Sequence, residues 1–479
     1  MKRRLRRAWW FLLLFMLGIA GFVVVLLVPS RTAPVRPALP VFTAISARSR
    51  ILILAPHEDD ETLGCGGLIQ QAVAAGAAVR VVYLTSGDHN QMAFLAYRKL
   101  PWLSPRVNRN MGQIRIREAR EAMAFLGVPV QQLVFLGYPD HDTLSIWSRH
   151  WGKSPPLHSI LTNSTRVPYR EAPGYEKPYK GESIVADIER ELLDFRPTHI
   201  FVTHPIDANP DHRACFLFLH VALLNLSGRI PEPQIFAYPI HMGPWPRPYF
   251  FRPHEWLSFP IRLADEQARS RVLELTPEQV LRKYNTIRLY KSQMSDSSYW
   301  MAAFARRNEL FTLIEPASLM EGAEWSPHRE AVASAETSDY ERAEQRDHVA
   351  DVAYRNTKEG LVVKVDLRHP LEYRMGISIN AFGYRHDTPF EQMPKIRVES
   401  FMGVRVARDQ DTKIAADTLE VGLTDNEAVV TIPWYLLGNP EAIFAQTRVS
   451  SGVVFKSYTT WQLFTLGGVE GPSVSMGPQ

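Results

Sequence analysis

The chain has 479 residues, 46% of them hydrophobic and 22% charged. That balance suits two or three folded domains and excludes a disordered, collagen-like or polytopic membrane protein. Two cysteines exclude a disulfide scaffold or a cysteine-rich zinc module. The formal net charge of +4 traces to Lys2, Arg3, Arg4, Arg6 and Arg7. The other basic residues nearly balance the acidic ones and form no long run, so nucleic acid is not an expected partner.

Residues 1–7 read as a basic cytoplasmic tail. Residues 8–28, AWWFLLLFMLGIAGFVVVLLV, carry no charge. At about 1.5 Å per residue such a run crosses a hydrocarbon core of about 30 Å. Trp9 and Trp10 stand where an interfacial aromatic belt would be, and the positive-inside rule places the N-terminus in the cytoplasm. This predicts a single-pass signal anchor with the catalytic domain periplasmic or extracellular. A cleaved signal peptide is the competing reading, although its apolar stretch is normally about 7–15 residues. Residues 29–47 are a proline-rich linker.

Residues 48–318 alternate strand and helix patterns. Strands are expected at 51–55, 79–85, 133–137 and 198–203, and helices at 61–76, 113–126 and 182–195. This order predicts an α/β domain: a Rossmann-like parallel sheet with helices on both faces. Residues 140–181 interrupt the pattern with Trp147, Trp151, Tyr169, Tyr175 and Tyr179. They read either as a functional loop or as a packed insertion. Residues 319–350, rich in Glu, Ala and Ser, read as a linker. Residues 351–470 show period-two runs between Gly, Pro and Asn, which predicts an antiparallel β-sandwich. Its Trp434 and Trp461 could stack on sugar rings or serve as core aromatics.

Two segments carry the chemistry. A-P-H-E-D-D-E (55–61) follows the first strand, and T-H-P-I-D-A-N-P-D-H-R-A (203–214) begins as the fourth strand ends. The C-terminal rim of an open parallel sheet is where ligands bind. Crowded carboxylates beside histidines repel one another unless a cation joins them. His57, Asp60 and His212 supply the three ligands of a catalytic zinc site, and another divalent ion would suit them too. Asp59 is then free as a general base on water. Each segment alone has a plainer reading, as an acidic helix N-terminus or a core histidine. Cys65 and Cys215 read as buried thiols. The G-C-G-G run at 64–67 is not a dinucleotide fingerprint.

With those motifs stand Gly64-Cys65-Gly66-Gly67, the set Arg115, Glu118, Ala122, Leu126 and Gly127, the L-G-Y-P-D run at 136–140, and Tyr290-Lys291-Ser292-Gln293. Together they resemble the PIG-L/LmbE-like deacetylases over roughly residues 48–315. The resemblance implies a zinc-dependent hydrolase that removes acetyl groups from an N-acetylglucosamine-type sugar or cleaves a related amide, and the expected extracytoplasmic placement favours a polysaccharide or glycolipid substrate. It makes His57, Asp60 and His212 the metal ligands, Asp59 the general base, and Arg115 and Asp140 substrate contacts. Two positions depart from the family pattern: Glu58 replaces a proline, and Asn209 replaces the first histidine of H-P-D-H. An asparagine can stabilise an oxyanion but cannot supply a proton. The acid role would pass to Asp59, His204 or His141. The β domain weakly resembles carbohydrate-binding modules. That leaves a competing class, a carbohydrate-binding or scaffold protein with an impaired deacetylase domain. Asn209 favours it; intact His57, Asp59, Asp60 and His212 oppose it.

Overall fold

The computed structural model describes residues 36–43, 45–89, 104–322, 325–326, 332–333, 349–367, 375–401, 404–415, 419–451 and 454–467. The expected tail and anchor lie outside these residues. Among the described residues no helix is long and apolar enough to cross a membrane. The longest, Pro105–Leu126, carries Arg106, Arg109, Arg115, Arg117 and Arg120. The single-pass topology, and the periplasmic or extracellular placement drawn from it, therefore do not stand.

Strand β1 (Arg50–Ala55) is flanked in parallel by β2 (Ala78–Thr85) and by β4 (His199–Thr203). β3 (Leu133–Tyr138) extends the sheet beyond β2, and β5 (Gln234–Tyr238) beyond β4, both in parallel. The sequence pattern revealed neither β5 nor the two strands beyond it, β6 (Ser270–Glu274) and β7 (Asn308–Leu313); β7 pairs antiparallel with β5, and β6 antiparallel with β7. The order is β3-β2-β1-β4-β5-β7-β6, so the sheet is mixed rather than wholly parallel. Successive side chains of a strand point to opposite faces. Ile51, Ile53 and Ala55 accordingly join one hydrophobic core, and Leu52 and Leu54 the other. β1, β2 and β3 are added in one direction across the sheet and β4 and β5 in the other, which makes a topological switch point at the C-terminal ends of β1 and β4.

Helices α1 (Asp60–Ala74) and α2 (Pro105–Leu126) follow β1 and β2. Then come α3 (Thr143–Arg149), α4 (Gly181–Phe195), α5 (Pro210–Asn225), α6 (Pro277–Ile287) and α7 (Lys291–Ala302). α2 starts earlier than its apolar period suggests, because Ser104 caps Val107 N at 3.3 Å and Pro105 suits the first turn. The G-C-G-G run explains itself by close packing of α1. A Cβ on Gly64 would overlap the Tyr238 ring, and one on Gly67 would overlap Leu275. Lys283 Nζ donates to Leu63 O at 2.7 Å and to Glu309 Oε1 at 2.6 Å. Glu309 in turn accepts from Gly67 N and Leu68 N. This buried ion pair has its hydrogen bonds satisfied, which is the condition for tolerating it.

Two further sheets, of four and nine strands, fill the C-terminal region. Val352, Val363 and Ile432 of one share a core with Ile379, Ile396 and Ile443 of the other. Strand Ala317–Met320 pairs in parallel with Gln462–Gly467. The expected boundary at 318/319 therefore cuts a strand, and the start of the expected linker belongs to this sheet.

Beyond its first two residues, the 140–181 interruption is largely packed against the rest of the protein. Trp147 on α3 meets Phe218 of α5 and Phe382, Phe390, Phe444 and Trp461 of the C-terminal region, at ring-centroid separations of 5.3–5.7 Å. Trp151 Nε1 donates to Trp147 O at 2.6 Å, and Lys395 Nζ lies 5.3 Å from the Trp151 ring. Trp461 is thus a core aromatic. Trp434, partly buried, donates its Nε1 to Thr357 O at 2.7 Å. Because Trp147 knits the two units, Trp147→Ala should cost about 3–5 kcal/mol. Urea denaturation followed by circular dichroism reads this as a lowered midpoint.

Candidate metal centre

All five parallel strands deliver side chains to one rim: His57, Asp59 and Asp60 after β1, Asp88 and His89 after β2, Asp140 and His141 after β3, Asp207 to His212 after β4, and His241 after β5. The turn from β1 into α1 is tight. Asp60 Oδ2 accepts His57 N at 3.0 Å, and Asp59 adopts φ 151° and ψ −27°, a conformation that L-residues rarely take. Such strain persists where the surroundings over-determine it, commonly at a site of function. Asp60 also opens α1, where the helix dipole favours a carboxylate.

Three donor atoms converge. His57 Nδ1 and Asp60 Oδ2 are 3.1 Å apart, His212 Nε2 and Asp60 Oδ2 3.1 Å, and the two histidine nitrogens 3.3 Å. Zinc–nitrogen bonds of about 2.0–2.1 Å in a tetrahedron put ligand atoms about 3.4 Å apart. Carboxylates behind the rings fix the tautomers. His57 Nε2 faces Asp140 Oδ1 at 3.0 Å and Asp211 Oδ2 at 3.3 Å, and His212 Nδ1 faces Asp207 Oδ2 at 3.0 Å. With a cation at the shared point, each ring would keep its proton on the nitrogen facing the outer carboxylate and turn the lone pair of the other nitrogen to the metal. Lone pairs meeting there, in a buried setting, fit a divalent cation. The predicted set of His57, Asp60 and His212 is thus brought together, and a second buried group, His57, Asp140 and Asp211, uses the other nitrogen of His57.

Burial opposes charge on His212, yet Asp207 and Asp60 outweigh it and push its pKa up to about 9 in the metal-free protein. His57 is raised in the same sense, with Asp140 as the largest contributor against burial. Burial pushes the Asp59 carboxyl up to about 7, against the pull of Arg115. That value suits a general base near neutral pH.

Arg115 is 3% exposed. Its guanidinium donates to Glu58 O at 2.9 Å and lies 3.4 Å from Glu58 Oε2 and 3.3 Å from Asp59 Oδ1. It therefore touches the cavity while braced on the two carboxylates, Glu58 among them. Burial pushes Glu58 up to about 8 despite that arginine. Asp140 also lines the cavity, with Oδ2 accepting His89 N at 3.0 Å.

The cavity holds about 410 Å³ and is walled by His57, Asp59, Asp60, Arg115, Asp140 and Asn209, with His89, His141, His241 and Trp300 around them. Asn209 caps α5: its Oδ1 accepts Asp211 N at 2.8 Å. His141 lines the cavity at φ 68°, its N–H held by Asp211. His204 does not line it; its Nε2 pairs with Glu266 at 3.3 Å and its Nδ1 accepts Ile206 N. Glu118 accepts Ser292 N at 2.9 Å and Ser292 Oγ at 2.6 Å, and Tyr290 donates to Glu61. These bonds anchor α7, which brings Gln293 and Trp300 to the wall. The sequence left Asp207 without a role, although it lies five residues before His212, the histidine that it orients. It gave no signal for His241, which follows a strand that the pattern did not mark.

If a cation completes this point, binding must displace protons from His57 and His212. Affinity for zinc should then weaken as pH falls below about 9, with proton release seen by calorimetry in buffers of different ionisation enthalpy. Asp207→Asn should weaken binding about 10–100-fold, and His212→Ala should abolish stoichiometric uptake.

Residues 52–223 match the PIG-L family, described as GlcNAc-PI de-N-acetylase. A 1D-myo-inositol 2-acetamido-2-deoxy-alpha-D-glucopyranoside deacetylase of Mycobacterium sp. (strain KMS) is 33% identical over 190 residues, covering 38% of this chain and 53% of that protein. A deacetylase of the same description from Saccharopolyspora erythraea is 28% identical over 194 residues, covering 39% and 56%. The chain spans about half the length of these curated relatives. Among solved structures, the N,N'-diacetylchitobiose deacetylase from Pyrococcus horikoshii is 19% identical with a TM-score of 0.34, covering 55% of this chain and 83% of that one. The match runs from β1 into α5 and takes in the segments that carry His57, Asp60 and His212; residues 52–223 are therefore a PIG-L domain.

Proposed function

We propose that the chain is a metal-dependent deacetylase that hydrolyses the acetamide of an N-acetylglucosamine-type substrate. The observation that carries this reading is the convergence of His57 Nδ1, Asp60 Oδ2 and His212 Nε2 beside the strained, pocket-facing Asp59. Two imidazoles and one carboxylate suit zinc. A divalent cation there supplies Lewis acidity and lowers the pKa of water toward about 7.

The chain's own groups do the rest. Asp59 accepts the proton of the attacking water as the new carbon–oxygen bond forms. Arg115 fixes the Asp59 carboxylate from behind. As the carbon–nitrogen bond breaks, the proton held on Asp59 goes to the departing amine, leaving acetate and an amino sugar. The competing binding-protein reading rests on Asn209 alone. The intact base and its arginine brace weigh against it, since a binding module has no use for a strained carboxylate beside three converging ligands.

The full chain, loaded with zinc, should release free amine from N-acetylglucosamine oligosaccharides or N-acetylglucosaminyl-inositol. Asp59→Asn should lower kcat about 10²–10⁴-fold while metal content is unchanged. Full activity in that variant would refute the scheme. Because Asp59 acts as the base and burial raises its pKa, activity should fall as pH drops through the neutral range.

A further inference from the structure

Asn209 occupies the place beside the metal ligands where a proton-bearing ring would be most useful, and its side-chain oxygen is committed to capping α5. The loop after β5 runs alongside it: Ala208 N donates to His241 O at 3.0 Å. This pairing sets His241 next to Asn209. Asp207 Oδ2 accepts both His212 Nδ1 at 3.0 Å and His241 N at 2.8 Å, so one carboxylate aligns a metal ligand and the neighbouring histidine.

The His241 ring is held firmly. It lies flat on Trp300, with centroids 5.1 Å apart and planes 9° from parallel, and Trp300 Nε1 is tied to Trp245 O at 3.3 Å. Its centroid is 4.8 Å from that of His212, whereas the fellow ligand His57 is 5.2 Å from His212. Neither ring nitrogen of His241 has a hydrogen-bond partner among the described residues, and the residue lines the cavity. The other cavity histidines are placed differently. His89 and His141 pack edge to face at 4.6 Å, and the strand end that carries His141 presents Asp140 to His57 Nε2, on the side away from the converging donors.

We infer that His241 is a catalytic residue: its ring N–H hydrogen-bonds the acetamide oxygen as negative charge develops there, supplying from the loop after β5 an imidazole that the Asn209 position no longer holds. The role needs no change of charge on His241, because either tautomer carries one N–H. A ring locked by stacking and a backbone tether is preorganised, and such donors stabilise a developing oxyanion strongly. This inference rests on the deacetylase reading of the same site.

The test compares the zinc-loaded full chain with His241→Ala, His241→Gln and the double variant Asn209→His/His241→Ala, using N-acetylglucosamine oligosaccharides. His241→Ala should lower kcat about 10²–10³-fold with KM within about threefold and metal content unchanged. His241→Gln keeps an N–H donor and should recover about tenfold over the alanine variant. Asn209→His should also restore part of the loss in the double variant. Activity of His241→Ala within about threefold of the unmodified chain would overturn the inference, as would a loss expressed only in KM. A second readout needs no turnover: acetate added to the zinc-loaded chain should shift the ¹⁵N imidazole resonance of His241. An unmodified chain that releases no amine would refute the deacetylase reading, and the acetate shift would still decide whether His241 faces a carboxyl oxygen.

Discussion

Three donor atoms aimed at one buried point need something positive between them, protons in the metal-free protein or a cation in their place. His57 Nδ1, Asp60 Oδ2 and His212 Nε2 meet within 3.3 Å, and the carboxylates behind the two rings hold them so. Everything around the point serves that convergence. Asp140 and Asp211 orient one ring, and Asp207 the other. Asp211 is itself pinned by Thr143 N at 3.0 Å. Hydrogen-bonded carboxylates behind metal-binding histidines raise their basicity as well as setting their direction.

The fold places these groups by simple means. Parallel strands end on one edge, so five loops share a rim. α1 must approach the sheet closely for Asp60 to point inward, and its glycines admit Tyr238 and Leu275. The Lys283–Glu309 pair then ties that helix to α6 and β7. On the far face the Trp147 cluster joins the C-terminal sheets to α5, the helix that carries His212. The second region thus buttresses the helix that carries His212.

Much of this could be read from the sequence, for a physical reason. Buried parallel strands are continuous apolar runs, so β1 and β4 were visible, and the His/Asp segments at their ends were visible with them. What stayed hidden depends on tertiary packing. β5 (QIFAY), β6 (SRVLE) and β7 (NELFTL) begin with polar residues and carry no long apolar run, so nothing in the pattern marks them as buried strands. The aromatics of 140–181 look the same in sequence whether they line a site or fill an interface. Arg115 could be placed near substrate, but only the fold shows it braced on Glu58 and Asp59. Asp207 and His241 gain meaning through one shared carboxylate, across 34 residues of chain. The membrane placement failed differently: it rested on residues 8–28, outside the described residues, and no described helix has membrane-crossing length and apolarity.

The central claim is that three named side chains hold one metal ion. X-ray absorption spectroscopy on the zinc-loaded full chain tests it most directly. The account predicts one zinc per chain, with a first shell of nitrogen and oxygen at about 2.0–2.1 Å, two imidazole scattering patterns and no sulfur. A shell containing sulfur, a shell without imidazole, or no stoichiometric zinc would contradict it.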